Sequence, residues 1–249
     1  MLRFLLQPNE YLSMKKLLIG LLILSASCNL SAQTGSWNII NAKGTFNDKW
    51  SVFAEGQLRS WKVYDQFYYY ELKTAVNYNF TKQLSVTGGL GTYHTYTTSG
   101  NFKHPLTNNE FRTWLQLMMV QSFGRIKIDH RYRMEQRWVT AGYRNRYRYR
   151  LNAIVALNHK TLTDKTLYAT AFDELFFTNK SPYFERNRTF GGIGYQLNNH
   201  LTFQAGYINQ FDYSKTKEFA KGYLQLTAFL SGNLKKGKPH TPSAHQSID

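Results

Sequence analysis

Between Ile126 and Leu157 the chain alternates charge and hydrophobe through two consecutive strand-length runs. In the first run Lys127, Asp129, Arg131, Arg133, Glu135 and Arg137 hold the odd positions, while Ile126, Ile128, Tyr132, Met134 and Trp138 hold even ones. In the second, Arg144, Arg146, Arg148 and Arg150 share one parity, and Tyr143, Tyr147, Tyr149, Leu151, Ala153, Val155 and Leu157 share the other. A period of two puts each set on its own face of a strand. An apolar face this long and this rich in tyrosine and tryptophan suits lipid, and a row of arginines behind it suits a polar lumen. That is the pattern of a transmembrane β-barrel wall.

The pattern recurs along the chain and predicts strands over 36–46, 50–64, 67–80, 84–97, 109–123, 126–140, 144–157, 166–177, 184–197, 201–212 and 221–232. Inward faces follow from parity: Ser51, Glu55, Gln57 and Arg59 on the second run; Glu71, Lys73, Asn77 and Asn79 on the third; Glu110, Arg112 and Gln116 on the fifth; Arg186 and Arg188 on the ninth. Glu174 fits the inward set of the eighth, with Asp173 on the opposite face. Bacterial single-chain barrels have even strand counts. The first run is the weakest wall candidate; without it ten strands remain, and twelve would need one more. The expected fold is therefore an all-β antiparallel transmembrane barrel of 10–12 strands with a charged lumen. Weak repeats at Phe46–Val52, Phe80–Val86 and Leu197–Phe203 each read strand, tight polar turn, strand. With Gly124-Arg125 and Asn158–Lys165 they form the short, periplasmic rim. Longer connections at Thr97–Asn109, Asn179–Tyr183 and Tyr213–Phe219 form the other.

The N-terminus agrees with export. Lys15 and Lys16 precede the apolar run Leu17–Leu24 and the small-residue stretch Ser25–Ala32, which together read as a signal peptide occupying residues 1–33, with Met14 as the natural start and the cut near Ala32. The apolar run is far short of the ~20 residues that span a bilayer, and no later segment is apolar enough for a membrane helix. Cys28 is the single cysteine, so no internal disulfide forms. It leaves with the leader, because Ser25 stands where a lipidation signal carries an aliphatic residue. The barrel occupies 34–233, and the basic, polar segment 234–249 reads as a disordered tail.

The formal net charge is +16, and the leader carries only Arg3, Lys15 and Lys16 against Glu10. Basicity placed at strand spacing, rather than in a tail, argues for a basic lumen and against a nucleic-acid surface. The lumen cluster is Arg131, Arg133, Glu135, Arg137, Arg146, Arg148 and Arg150, with Asp129 beside them and Glu71, Glu110, Arg112, Glu174, Arg186 and Arg188 facing the same space. Buried charges need partners, so one reading is an Arg–carboxylate network that braces and fills a narrow barrel. The other is an anion-attracting constriction, since arginines outnumber carboxylates. No nucleophile–base pair or His-rich metal spacing is present, which gives no catalytic residue, no metal and no cofactor, and a non-enzyme. His130 and His94 share parity with the lipid face. The glycines Gly88, Gly89, Gly91, Gly191, Gly192 and Gly194 serve curvature, and most aromatics form two interfacial belts.

Specific strings carry a resemblance. His130-Arg131-Tyr132-Arg133-Met134-Glu135-Gln136-Arg137 and Tyr143-Arg144-Asn145-Arg146-Tyr147-Arg148-Tyr149-Arg150-Leu151 resemble a domain-of-unknown-function family of outer-membrane proteins from Bacteroidetes-type Gram-negative bacteria. Glu55–Arg59, Asn109–Trp114, Asp173–Phe177 and Tyr183–Arg188 add shorter matches, and together they run from Trp37 to Gly232. The resemblance implies an outer-membrane barrel and supplies no activity. Barrels commonly end on an aromatic residue read by the assembly machinery; here Phe229 is followed by Leu230-Ser231-Gly232-Asn233. The expected function is a small porin-like channel or binder for anionic solutes. A sealed structural barrel for envelope integrity is the alternative, and an outer-membrane lipid-modifying enzyme comes third. Expected partners are outer-membrane lipids, the barrel-assembly machinery and small anionic solutes, with the chain a monomer.

Overall fold

A computed structural model describes residues 34–98, 101–103 and 105–235. The expected signal peptide, residues 1–33, and almost all of the expected tail lie outside the described residues. Eleven strands form the barrel: β1 (Gly35–Thr45), β2 (Trp50–Lys62), β3 (Asp65–Asn79), β4 (Leu84–Tyr96), β5 (Leu106–Phe123), β6 (Ile126–Val139), β7 (Gly142–Ala156), β8 (Thr166–Thr178), β9 (Phe184–Gln196), β10 (Leu201–Tyr213) and β11 (Glu218–Asn233). Each pairs with its chain neighbours and the ring closes between β1 and β11. All pairs are antiparallel except the closing one, which runs parallel from Gly35↔Tyr223 to Thr45↔Asn233.

The even-count argument therefore fails here, and the first run is a full wall strand. With eleven strands and every other pair antiparallel, the last pair must be parallel. The first run looked weak because its pattern is inverted: it buries Trp37 and Ile39 and turns Ile40 and Ala42 outward beside Asn38. Its two ladders, to β2 and to β11, hold it in place regardless.

The repeated turn string has a concrete cause. The second residue of each copy caps its own turn: Asn47 Oδ1 accepts from the Lys49 and Trp50 amides, Thr81 Oγ1 from Gln83 and Leu84, and Asn198 Oδ1 from His200 and Leu201. Such side-chain acceptors favour tight turns. We call the end carrying these turns the lower rim and the other the upper rim. The expectation of one short-looped and one long-looped rim is not met, because β2–β3 and β6–β7 at the upper rim are joined by the two-residue links 63–64 and 140–141, whereas the lower rim includes the nine-residue link 157–165. Several strands run further towards the upper rim than their hydrophobic pattern shows, β5 from Leu106 and β11 from Glu218 among them, whereas β2, β4 and β6 end one or two residues inside their predicted bounds.

The outer face is apolar around the ring, from Ile40, Leu72 and Leu115 to Ile193, Phe203 and Leu226. Aromatic clusters flank it: Trp50, Tyr78 and Phe80 below, Trp138 with Tyr143 and Phe177 with Phe184 above. His130 and His94 lie on this face against Tyr149 and Tyr70. Phe229 points inward, into an apolar cluster with Trp37, Ile39, Phe172, Phe190, Ile208 and Tyr223.

Candidate anion-binding lumen

Parity places the candidate side chains correctly. Arg131, Arg133, Glu135, Arg137, Arg146, Arg148, Arg150, Glu110, Arg112, Glu71, Glu174 and Arg188 are all buried inside the ring, and Arg186 lines the upper cavity with them. They form three linked groups rather than one constriction. At mid-barrel Glu135, with no exposed surface, accepts from Arg148 at 2.6 Å and lies 3.7–3.9 Å from Arg112, Arg133 and Arg146. Glu174 bridges Arg131 at 2.5 Å and Arg148 at 2.8 Å. Arg148 thus ties the two acids together across β6, β7 and β8.

Above this layer Glu110 takes Arg112 at 2.6 Å and also binds Arg137. Glu185 takes Arg137 and Arg144, both at 3.3 Å, and Arg146. Arg186 pairs with Asp212. The third group sits on β2 and β3, where Lys73 bridges Glu55 at 2.5 Å and Glu71 at 2.7 Å, with Arg59 3.5 Å from Glu71. Asp129 stands apart towards the lower rim, with Lys127 at 3.6 Å and Asn152 donating at 3.2 Å.

Arg150 and Arg188 differ from the rest. Neither has a carboxylate within ion-pair distance among the described residues. The Arg150 guanidinium packs over Phe172 with Nε and Nη1 unpartnered. Arg188 donates through Nε to Gln210 at 2.9 Å and packs over Trp37 and Phe176.

The lumen holds an upper and a lower cavity. An upper cavity of about 950 Å³, counting its open mouth, is lined by eight arginines (59, 112, 137, 144, 146, 148, 186 and 188) against four carboxylates (Glu71, Glu110, Glu185 and Asp212). A lower cavity of about 660 Å³, likewise counting its open mouth, is lined by seven neutral polar residues, Ser51, Asn77, Ser85 and Thr87 among them, with Lys43, Glu55, Arg133 and four apolar residues. The two share no lining residue. Between them lie side chains that line neither, among them Trp37, Arg131, Glu135, Glu174 and Ile208, each at most 1% exposed. The charges are thus both brace and lining: brace at mid-barrel, lining above.

Two residues of the upper cavity escape the parity rule or the strand bounds. Glu185 precedes outward-facing Asn187 by two and belongs on the outer face by alternation. A register shift opposite Phe176/Phe177 turns it inward, as β-bulges re-aim side chains near barrel rims. Asp212 sits at the last position of the predicted tenth strand, where a pattern cannot tell wall from loop. The inward aromatics were legible in principle, since Trp114 shares parity with Arg112 and Gln116, and Phe172 and Phe176 with Glu174. Aromatic residues in a barrel sequence are read first as belt. Among the described residues, no group of three or more His, Cys, Asp or Glu is placed to hold a metal.

Among curated proteins none matches this chain. Among solved structures the barrel is similar to LpxR from Salmonella typhimurium at 8% sequence identity and a TM-score of 0.45, over 73% of this chain and 84% of that one. The model of the family described as "Protein of unknown function (DUF2490)" matches residues 34–220, nearly the whole of the ring built around these charges, and the chain belongs to that family.

Proposed function

We propose that this chain is an outer-membrane barrel that binds a small anionic solute in its upper vestibule and does not conduct. Membrane insertion is supported by the apolar outer belt between two aromatic clusters, the arrangement that matches a bilayer and its interfaces. The observation that carries the binding reading is the upper cavity: eight arginines against four carboxylates, above a layer of buried side chains that line neither cavity. A low-dielectric wall focuses the field of such a surplus onto the space it encloses. Arginine supplies planar donor forks suited to carboxylate and phosphate oxygens. That buried layer favours a binder over the porin form of the expectation. The reading includes no covalent step and no cofactor.

The test uses the full chain folded in detergent. Calorimetric titration with inorganic phosphate at low ionic strength is expected to show saturable one-to-one binding that weakens as sodium chloride is added. Planar-bilayer recordings are expected to stay at leak. Discrete anion-selective conductance would return the reading to a porin, and absence of anion binding would leave a purely structural barrel.

A further inference from the structure

Resting on that reading, we propose that the seat of the anion is the pair Arg59 and Arg188 on the vestibule floor, and that the ligand is a water-soluble phosphate monoester. Trp37 is fully buried beneath the floor. The Arg59 guanidinium carbon lies 3.4 Å from its ring centroid and the Arg188 carbon 4.9 Å from the same centroid, so the two cations are at most about 8 Å apart. Each is held by a second ring: Tyr69 for Arg59 at 4.2 Å, Phe176 for Arg188 at 4.7 Å. Stacking fixes guanidinium planes before a ligand arrives, which lowers the ordering entropy that binding must overcome.

Their hydrogen-bonding capacity is incomplete. Arg188 makes one hydrogen bond, from Nε to Gln210, leaving both terminal nitrogens for a ligand. Arg59 gives Nη2 to Gln57 at 3.1 Å and reaches Glu71 only at 3.5 Å, while its buried Nε has no partner. Nearer the mouth Arg137 pairs with Glu110, Arg146 with Glu185 and Arg186 with Asp212, and Arg144 shares Glu185 at 3.3 Å. Of the eight vestibule arginines, Arg188 is the one with no carboxylate within ion-pair distance among the described residues.

Two guanidinium groups facing one space call for a ligand with more than one charge and more than two acceptor oxygens. A carboxylate offers one charge and two oxygens and saturates a single fork. A phosphoryl monoester offers three oxygens and roughly −1.5 to −2 charge at neutral pH. Tyr69, Tyr223 and Trp61 line the same cavity, giving the organic part of an ester an apolar flank. Entry is along the axis, because the strands are hydrogen-bonded around the whole ring and leave no lateral gap. That geometry selects a soluble ester over a membrane lipid.

The test titrates the folded full chain with phenyl phosphate, inorganic phosphate and benzoate at one pH and salt. Phenyl phosphate is expected to bind at least tenfold more tightly than benzoate, and more tightly than inorganic phosphate. Arg188→Gln and Arg59→Gln are each expected to weaken phenyl phosphate at least tenfold, and Arg144→Gln at the mouth less than threefold. Equal affinity for benzoate overturns the phosphoryl assignment, and needs no variant. Unchanged binding in both floor variants with loss in Arg144→Gln overturns the seat, yet leaves a vestibule that binds anions. Failure of the wild type to bind any of the three ions defeats the broader reading as well. Should Arg188→Gln lose the heat-modifiable gel mobility of a folded barrel, Arg188→Lys keeps the charge without the fork and is expected to show the same tenfold loss.

Discussion

Replacing Glu135 by glutamine removes one charge and almost no volume from the centre of the barrel, so it isolates electrostatics from packing. Glu135 has no exposed surface and is surrounded by Arg148 at 2.6 Å and Arg112, Arg146 and Arg133 at 3.7–3.9 Å. One unit pair at about 4 Å is worth about 4 kcal/mol at an effective dielectric constant near 20. Leaving a buried charge without its partner typically costs about 3–5 kcal/mol. Relaxation decides where in that range the loss falls. Arg112, Arg146 and Arg148 all line the upper cavity and Arg133 the lower one, so each can turn towards water. The expected destabilisation is therefore about 3 kcal/mol, the low end of the range. Urea unfolding in lipid vesicles, followed by tryptophan fluorescence and by heat-modifiable gel mobility, measures it. The double variant Glu135→Gln with Arg148→Gln is expected to recover a substantial part of the loss, since it removes the closest orphaned cation. A loss below about 1 kcal/mol, or a double variant no better than the single, would show that the arginines do not depend on Glu135 and would refute the brace.

Three further outcomes follow from particular contacts. Ile40 is exposed on the outer face and pairs with Gly56 and Ala228, so Ile40→Pro tests the β1 ladders with little lost packing. By removing a ladder hydrogen bond it is expected to cost about 1–3 kcal/mol, read as a lowered urea midpoint and a weakened heat-modifiable band, with Ile40→Val unchanged; wild-type stability in the proline variant would mean β1 does not close the ring. A methyl added at Gly192 would meet the Ala205 carbonyl oxygen at 2.5 Å, whereas one at Gly191 meets nothing within 4 Å. Gly192→Ala is accordingly expected to destabilise by about 1–3 kcal/mol and Gly191→Ala to leave the urea midpoint in place. Glu185 neutralises three arginines of the vestibule, so Glu185→Gln is expected to raise affinity for inorganic phosphate several-fold in calorimetry and to steepen its salt dependence; weaker binding would place Glu185 in support of the anion seat rather than in competition with it.

The wall was legible because its cause is local. Each strand needs only period-two alternation, and β6 and β7 display it without interruption. The same locality explains what the pattern missed. The seam between β1 and β11 joins residues almost two hundred positions apart, and nothing in either strand alone announces a parallel partner. Trp37 and Ile39 defeated the wall reading of β1 because they fill the lumen with apolar surface where the other strands place charge. The inward set of charges was likewise readable, but its division into a buried mid-barrel layer and a vestibule was not. That division depends on which side chains meet across the barrel: Arg131 of β6 reaches Glu174 of β8 past β7, and Arg188 of β9 stacks on Trp37 of β1. Glu185 depends on a register shift, which alternation cannot encode.

Charge is an expensive way to close a barrel. Desolvating an arginine or a carboxylate costs several kcal/mol, and well-packed hydrophobic residues of similar volume often stabilise more. This chain already uses the cheaper solution on one side of its lumen, where Trp37, Ile39, Phe172, Phe190 and Ile208 pack together. Closure alone therefore does not explain the arginines opposite. At mid-barrel Glu135 and Glu174 gather Arg131, Arg133, Arg146 and Arg148 around themselves, and those contacts are consistent with a brace. Towards the upper rim the balance changes: eight arginines meet four carboxylates, and Arg188 has no carboxylate within ion-pair distance among the described residues while two rings and Gln210 pack against it. An unpaired, immobilised cation at the bottom of a water-accessible pocket is poor bracing and good recognition. The layer beneath it then has a second role beyond filling the lumen: Trp37 within it is the buried, low-dielectric surface on which Arg59 and Arg188 pack.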